Sequence, residues 1–404
     1  MCSALGALTV VCAGLAPAAV ASDTQSKEWY LTSMHADEMW KSSTGKGVKV
    51  AVIDSGVNPR TPSLKGQVLV NEVPKSAAYG ATTDFDAHGT SMAEIIAGTG
   101  AGGGVKGLAP GAKIIPIRVG SDELKDEKER AKSPTSAQAI RAAADSDAKI
   151  INMSYGSVYF DSDEADALKY AASKGKLLFA ATGNMADKGN KANYPAADPY
   201  VVGVSSVDKS GTVAKYSTHG NSVDVAAPGE NVPMWCDTKF TQYCMSGGTS
   251  QASAVASASA ALIWSAHPDW TANQVLRTLI DTAGRDWPKN TPSTYLGYGI
   301  LRPRLVLSDK NIDPGAANRD PLYAENGTAA DADVTATPSL SAAPPSSAEG
   351  KAKGTGAAAT GSTSAAKETG SGGSTQTWVI IGAAAAVLVL GGAGFAVLRS
   401  RRNA

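Results

Sequence analysis

Six short apolar runs recur along the chain, and helical patterns separate several of them. They are "VKVAVID" (Val48–Asp54), "AKIIPIRV" (Ala112–Val119), "AKIINMS" (Ala148–Ser154), "KLLFAATGN" (Lys176–Asn184), "YVVGVSSV" (Tyr200–Val207) and "VDVAAPG" (Val223–Gly229). Such runs suit strands buried on both faces, as in a parallel sheet. The intervening "SAQAIRAAADS" (Ser136–Ser146) and "DEADALKYAASKG" (Asp163–Gly175) carry apolar residues at helical spacing. A further helix is framed by Thr271 and Gln274 as a capping box, an apolar face of Val275, Leu276, Leu279 and Ile280, and Gly284 at its end. Strands alternating with helices imply an α/β fold, a doubly wound, mostly parallel sheet with helices on both faces.

Both ends differ from this pattern. Leu5–Val20 is apolar and small, and "AVA" at Ala19–Ala21 offers a cleavage site, so residues 1–21 read as an export signal. No Lys or Arg precedes that apolar stretch. From Trp378 to Leu398 there are 21 residues without a charge, enough to cross a bilayer core of about 30 Å. Residues 377–398 are therefore expected to be a transmembrane helix, with Arg399, Arg401 and Arg402 in a cytoplasmic tail (399–404) and everything before it extracytoplasmic. Residues 309–376 are rich in Ala, Ser, Thr, Gly and Pro and read as a disordered stalk. One large domain is expected over 47–308, preceded by an extension over 22–46.

The 37 basic and 37 acidic residues balance, which gives no reason to expect a nucleic-acid partner. Of four cysteines, Cys2 and Cys12 fall in the signal. Cys236 and Cys244 are an even pair in an oxidising compartment and are expected to form a disulfide. Their spacing without a nearby His does not suggest zinc, and no acidic cluster has convincing calcium spacing, so no metal or cofactor is expected. The charged run Ser121–Lys132 reads as a solvated surface loop.

Catalytic groups in such sheets sit beyond the C-terminal ends of strands. Asp54 and Asn184 close two of the strands, His88 opens the helix-like "HGTSMAEIIAG", and Ser250 follows a Gly-Gly-Thr turn. A serine hydroxyl needs an imidazole to take its proton, a carboxylate to hold that imidazole, and donors for the oxyanion. Asp54, His88 and Ser250 fit the first three roles. The Asn184 amide and the Ser250 N–H fit the last, at a helix N-terminus that favours negative charge. The other histidines, His35, His219 and His267, lack the "DAHGTSMAEIIAG" setting.

In this order "VAVIDSGV", "HGTSMAEIIAG" and "GTSQASA" resemble the three active-site signatures of subtilisin-like serine proteases, and "ATGN" resembles their oxyanion strand. "GLAPGAKIIPIRV" and "VDVAAPG" are further landmarks, and the resemblance spans about Trp29 to Leu307. It implies a substrate strand pairing beside "NMSYGS", at Ser154, Tyr155 and Gly156, and near Gly103. The chain departs from the family at Ala254, where proline is usual, and at Gln251, where an apolar residue is common. About 25 residues lie between Ser22 and the first strand, too few for the large prodomain of many subtilisins. The export signal, the cysteine pair, the stalk and the C-terminal span resemble the mycosins, membrane-anchored subtilisin-like proteases of type VII secretion systems. That resemblance implies a membrane-bound endopeptidase with secretion-complex partners. The alternative is a clamp of such a complex, with proteolysis secondary.

Overall fold

The computed structural model describes residues 21–121 and 123–327. All six apolar runs are strands: β1 (Lys49–Asp54), β2 (Lys113–Arg118), β3 (Ile150–Met153), β4 (Leu177–Ala181), β5 (Val202–Val207) and β6 (Val225–Pro228). They form one sheet in the order β2-β1-β3-β4-β5-β6, with every pair parallel. The chain moves from β1 outward to β2, then crosses to β3 on the other side of β1. That reversal leaves a crevice at the C-terminal ends of β1 and β3. A separate antiparallel hairpin pairs β7 (Val232–Trp235) with β8 (Tyr243–Ser246).

The helices are α1 (Ala21–Ser26), α2 (Trp29–Ser33), α3 (Ala36–Met39), α4 (His88–Ala97), α5 (Glu127–Lys132), α6 (Ser136–Asp145), α7 (Ser162–Ser173), α8 (Thr249–Ala266), α9 (Ala272–Thr282), α10 (Pro303–Ser308) and α11 (Tyr323–Asn326). Alternation along β1 sends Val50 and Val52 to one face and Ala51 and Ile53 to the other. Ala51 and Ile53 join Ile140 of α6 and Leu168 of α7, while Val50 and Val52 join α4, α8 and α9. The capping box of Thr271 and Gln274 forms as the sequence indicates. An alanine and serine helix suits the second layer. The residues of α8 from Thr249 to Trp264 are all buried, and small side chains let it lie close to α4 and to β3, β4, β5 and β6.

The extension over 22–46 is part of the core as well as of the surface. Tyr30 is fully buried and donates to the Lys106 carbonyl at 3.0 Å, and Met34 and Met39 pack in the same cluster. Two segments differ from the sequence expectation. The stalk is expected from residue 309, yet the chain stays attached to the domain as far as Glu325, which accepts from the Tyr298 hydroxyl. Gln274 and Thr271 donate to the carbonyls of Gly315 and Ala317, and Leu322 is buried. The 121–132 stretch is not simply a solvated loop: Asp126 caps α5, whose Glu129 pairs with buried Arg118 at 3.2 Å. The export signal, the span at 377–398 and most of the stalk lie outside the described residues. Among the described residues no helix is long and apolar enough to cross a membrane.

Candidate active site

Asp54 ends β1 and is 4% exposed. Its Oδ1 accepts the Ser55 N–H at 2.7 Å and faces His88 Nδ1 at 2.7 Å. His88 starts α4, and its neighbour Gly89 lets the first turn come this close. A Cβ on Gly89 would lie 2.2 Å from the Gly56 carbonyl and 2.9 Å from Asp54 Cβ. The contact assigns the proton to Nδ1 and leaves Nε2 of a neutral ring as an acceptor. Burial disfavours the imidazolium, but the carboxylates of Asp54, Asp86 and Asp84 outweigh it and raise His88 to about 9.

The entry to α4 rests on a residue that the sequence reading missed. Asp84 Oδ1 accepts from the Ser55 hydroxyl and the Asp86 and Ala87 N–H groups, and Oδ2 accepts from the Thr90 N–H and hydroxyl. Ser55 Oγ in turn accepts the Gly89 N–H at 2.9 Å. Burial raises the Asp84 pKa, against the hydrogen bonds from Thr90 and Ser55. The only advance sign was an Asp a few residues before a helix start, a common capping position.

Ser250 lies in the first turn of α8 and is 9% exposed. Its Oγ donates to the Ser154 carbonyl at 3.1 Å, and Ser154 Oγ donates to the Ser250 carbonyl at 3.1 Å. Behind them, fully buried Asn152 donates to Ser154 Oγ and accepts from Ser253 and Ser257. Those serines of α8 therefore have structural partners. Asn152 also escaped notice, because it sits inside an otherwise apolar strand. Asn184 Oδ1 accepts from the Thr249 N–H and hydroxyl at 3.0 and 3.1 Å. That orients the amide so that Nδ2 is the free donor end.

Asp54, His88, Ser154, Tyr155, Gly156, Asn184 and Ser250 all line one cleft of ≈ 1150 Å³. Gly103 does not. It ends a turn, Ala101–Gly103, next to Pro62 and to Gln25, whose side chain donates to the Gly100 and Gly104 carbonyls. The cleft edge is instead Val119, Gly120 and Ser121, just past β2, where a strand end was the better guide. Cys236 and Cys244 also differ from expectation: both are exposed free thiols. The hairpin register sets Cys244 opposite Met234, diagonal to Cys236, and the two thiols still lie within hydrogen-bonding reach of each other. Burial and then the Cys244 thiol push the Cys236 pKa upward. Among the described residues no group of three or more His, Cys, Asp or Glu is placed to hold a metal.

The peptidase S8 profile of the subtilase family matches residues 45–299. The minor extracellular protease Epr of Bacillus subtilis (strain 168) is 33% identical over 296 residues, which are 70% of this chain and 42% of that protein, so the chain spans less than half of that relative. Mycosin-1 of Mycobacterium tuberculosis is 30% identical over 343 residues, covering 72% of this chain and 75% of mycosin-1. Among solved structures, the MycP3 protease from the type VII (ESX-3) secretion system superposes with a TM-score of 0.57 at 30% identity, covering 69% of this chain and 88% of that one.

Proposed function

The chain belongs to the subtilase family, and from that premise we propose that it is a serine endopeptidase that cleaves peptide bonds through an acyl-enzyme, with Asp54, His88 and Ser250 as its triad. The observation that carries this reading is the 2.7 Å contact of His88 with Asp54 in the cleft that Ser250 also lines. His88 Nε2 takes the proton as Ser250 Oγ attacks the substrate carbonyl, and Asp54 holds the ring and stabilises the imidazolium. The oxyanion is received by Asn184 Nδ2 and the Ser250 N–H, aided by the positive end of α8. At rest the Ser250 hydroxyl is held by the Ser154 carbonyl. A substrate strand lying along Ser154–Gly156 brings its own N–H to that carbonyl, and the hydroxyl turns toward His88. His88 then protonates the leaving amine, and water repeats the sequence to release the acyl group.

The same reading has the enzyme held to the cell membrane, with its cleft outside the cytoplasm, next to type VII secretion components. Its support is the similarity to mycosin-1 and to the MycP3 protease, together with the uncharged span before Arg399. Hydrolysis of an unfolded protein by the full-length chain, abolished in Ser250→Ala and His88→Ala, is the expected result. Unchanged hydrolysis in Ser250→Ala contradicts the assignment. Recovery of the native chain in the soluble cytoplasmic fraction contradicts the location.

A further inference from the structure

The cleft has a one-sided charge. Its described lining includes five carboxylates, Asp54, Asp86, Glu123, Asp161 and Glu164, and no lysine or arginine, although the whole chain balances 37 of each sign. Asp54 is engaged by His88, whereas Asp161 and Glu164 directly follow Tyr159 and Phe160 at the start of α7, and the Glu164 charge acts on the Tyr155 hydroxyl. Tyr159 and Phe160 immediately precede Asp161 and are 80% and 60% exposed. Phe160 stands edge-on to Tyr194, with ring centroids 5.4 Å apart, so a second aromatic ring of the lining supports it.

Glu164 distinguishes this arm from a merely acidic surface. It is only 9% exposed, and its Oε1 has no hydrogen-bond partner, nor does the buried Tyr155 hydroxyl. A buried carboxylate oxygen left without a donor is costly. Burial raises the Glu164 pKa against a Ser136 hydrogen bond, and Asp161 and Asp198 raise it further. A cation arriving beside it reverses that cost. Aromatic rings next to carboxylates suit a long basic side chain, because the rings attract the charge and cover the aliphatic stem.

We propose that the arm formed by Tyr159, Phe160, Asp161 and Glu164 is a recognition site for a lysine or arginine side chain of the bound peptide. The inference rests on the peptidase reading only in calling that peptide a substrate. Selection works through binding: a basic residue at one position of the peptide seats the strand, and an acidic residue there is repelled by the two carboxylates.

The test is fluorescence anisotropy on the full-length Ser250→Ala chain. The probes are fluorescein-labelled peptides of one length, with lysine, alanine or glutamate placed at each position in turn. At one position the lysine peptide is expected to bind about tenfold tighter than the alanine peptide, and the glutamate peptide weakest. Added salt narrows the gap. The lysine-to-alanine ratio falls toward one when Glu164→Gln or Asp161→Asn is added. It also falls with Tyr159→Ala, a change at a highly exposed side chain that spares the core. Equal affinities at every position overturn the proposal, as does a ratio that none of these changes alters. Fluorophosphonate labelling of Ser250 in the parent chain reads the peptidase assignment separately. Labelling without a lysine preference removes the cation site alone, and a lysine preference without labelling removes the peptidase reading alone.

Discussion

Two helices deliver the side chains assigned to nucleophile and base, and different physics holds each one. α4 begins at His88, and buried polar groups set its first turn: Asp84 gathers five hydrogen bonds, and Ser55 adds another from Gly89. α8 carries Ser250, and close packing sets its position. Small side chains bring it against β1, β3, β4, β5 and β6, with Asn152 and Ser154 fixing its start relative to β3. A polar anchor is directional and fails when one atom is lost. A packed anchor tolerates the loss of a hydroxyl but not added volume.

The largest expected effect comes from the α4 side. Asp54→Asn should keep the fold and slow turnover by about 10⁴, because the amide favours the wrong tautomer of His88. The pH profile gives a second reading. Activity requires neutral His88, so kcat/KM falls as pH drops through its pKa, and the raised value puts that acid limb above the ordinary 6.5. Asp54→Asn should move the limb down. Near-normal turnover with an unmoved limb would remove Asp54 from the triad.

On the α8 side, Asn184→Ala should lower kcat by about 10²–10³ with little change in KM. An unchanged kcat in steady-state kinetics would mean that other groups receive the oxyanion. The next two effects concern stability and compare the anchors directly. Asp84→Ala strands five donors, four of them buried, and should cost on the order of 3 kcal/mol in urea unfolding. Ala258→Leu pushes extra volume between α8 and its surroundings and should cost about 1–3 kcal/mol. If Asp84→Ala is neutral, the polar anchor is not what sets α4. If Ala258→Leu is neutral, α8 is not closely packed.

The contrast also explains what could be read in advance. Strands covered on both faces leave uninterrupted apolar runs, so all six were visible from residues such as Val50–Ile53 and Leu177–Ala181. Asp54, His88 and Ser250 stood out because each sits in a distinctive local pattern. Asp84 did not, since an Asp in a loop looks like any turn residue until its five donors are in place. Gly103 lies away from the cleft although its loop looks like a substrate-edge loop in sequence, because glycine-rich loops look alike, and only the strand order shows that Val119–Ser121 borders the cleft. The segment from residue 309 to 325 reads as stalk in sequence because its composition is poor in apolar groups. It is tied down by Leu322 and by side-chain bonds to its main-chain carbonyls, which composition does not reveal.

The most direct test of the central claim is fluorophosphonate labelling of the full-length chain, followed by peptide mass spectrometry. Covalent modification at Ser250, lost in His88→Ala and strongly reduced in Asp54→Asn, is the predicted result. A folded chain that leaves Ser250 unmodified, or reacts equally well without His88, would contradict it.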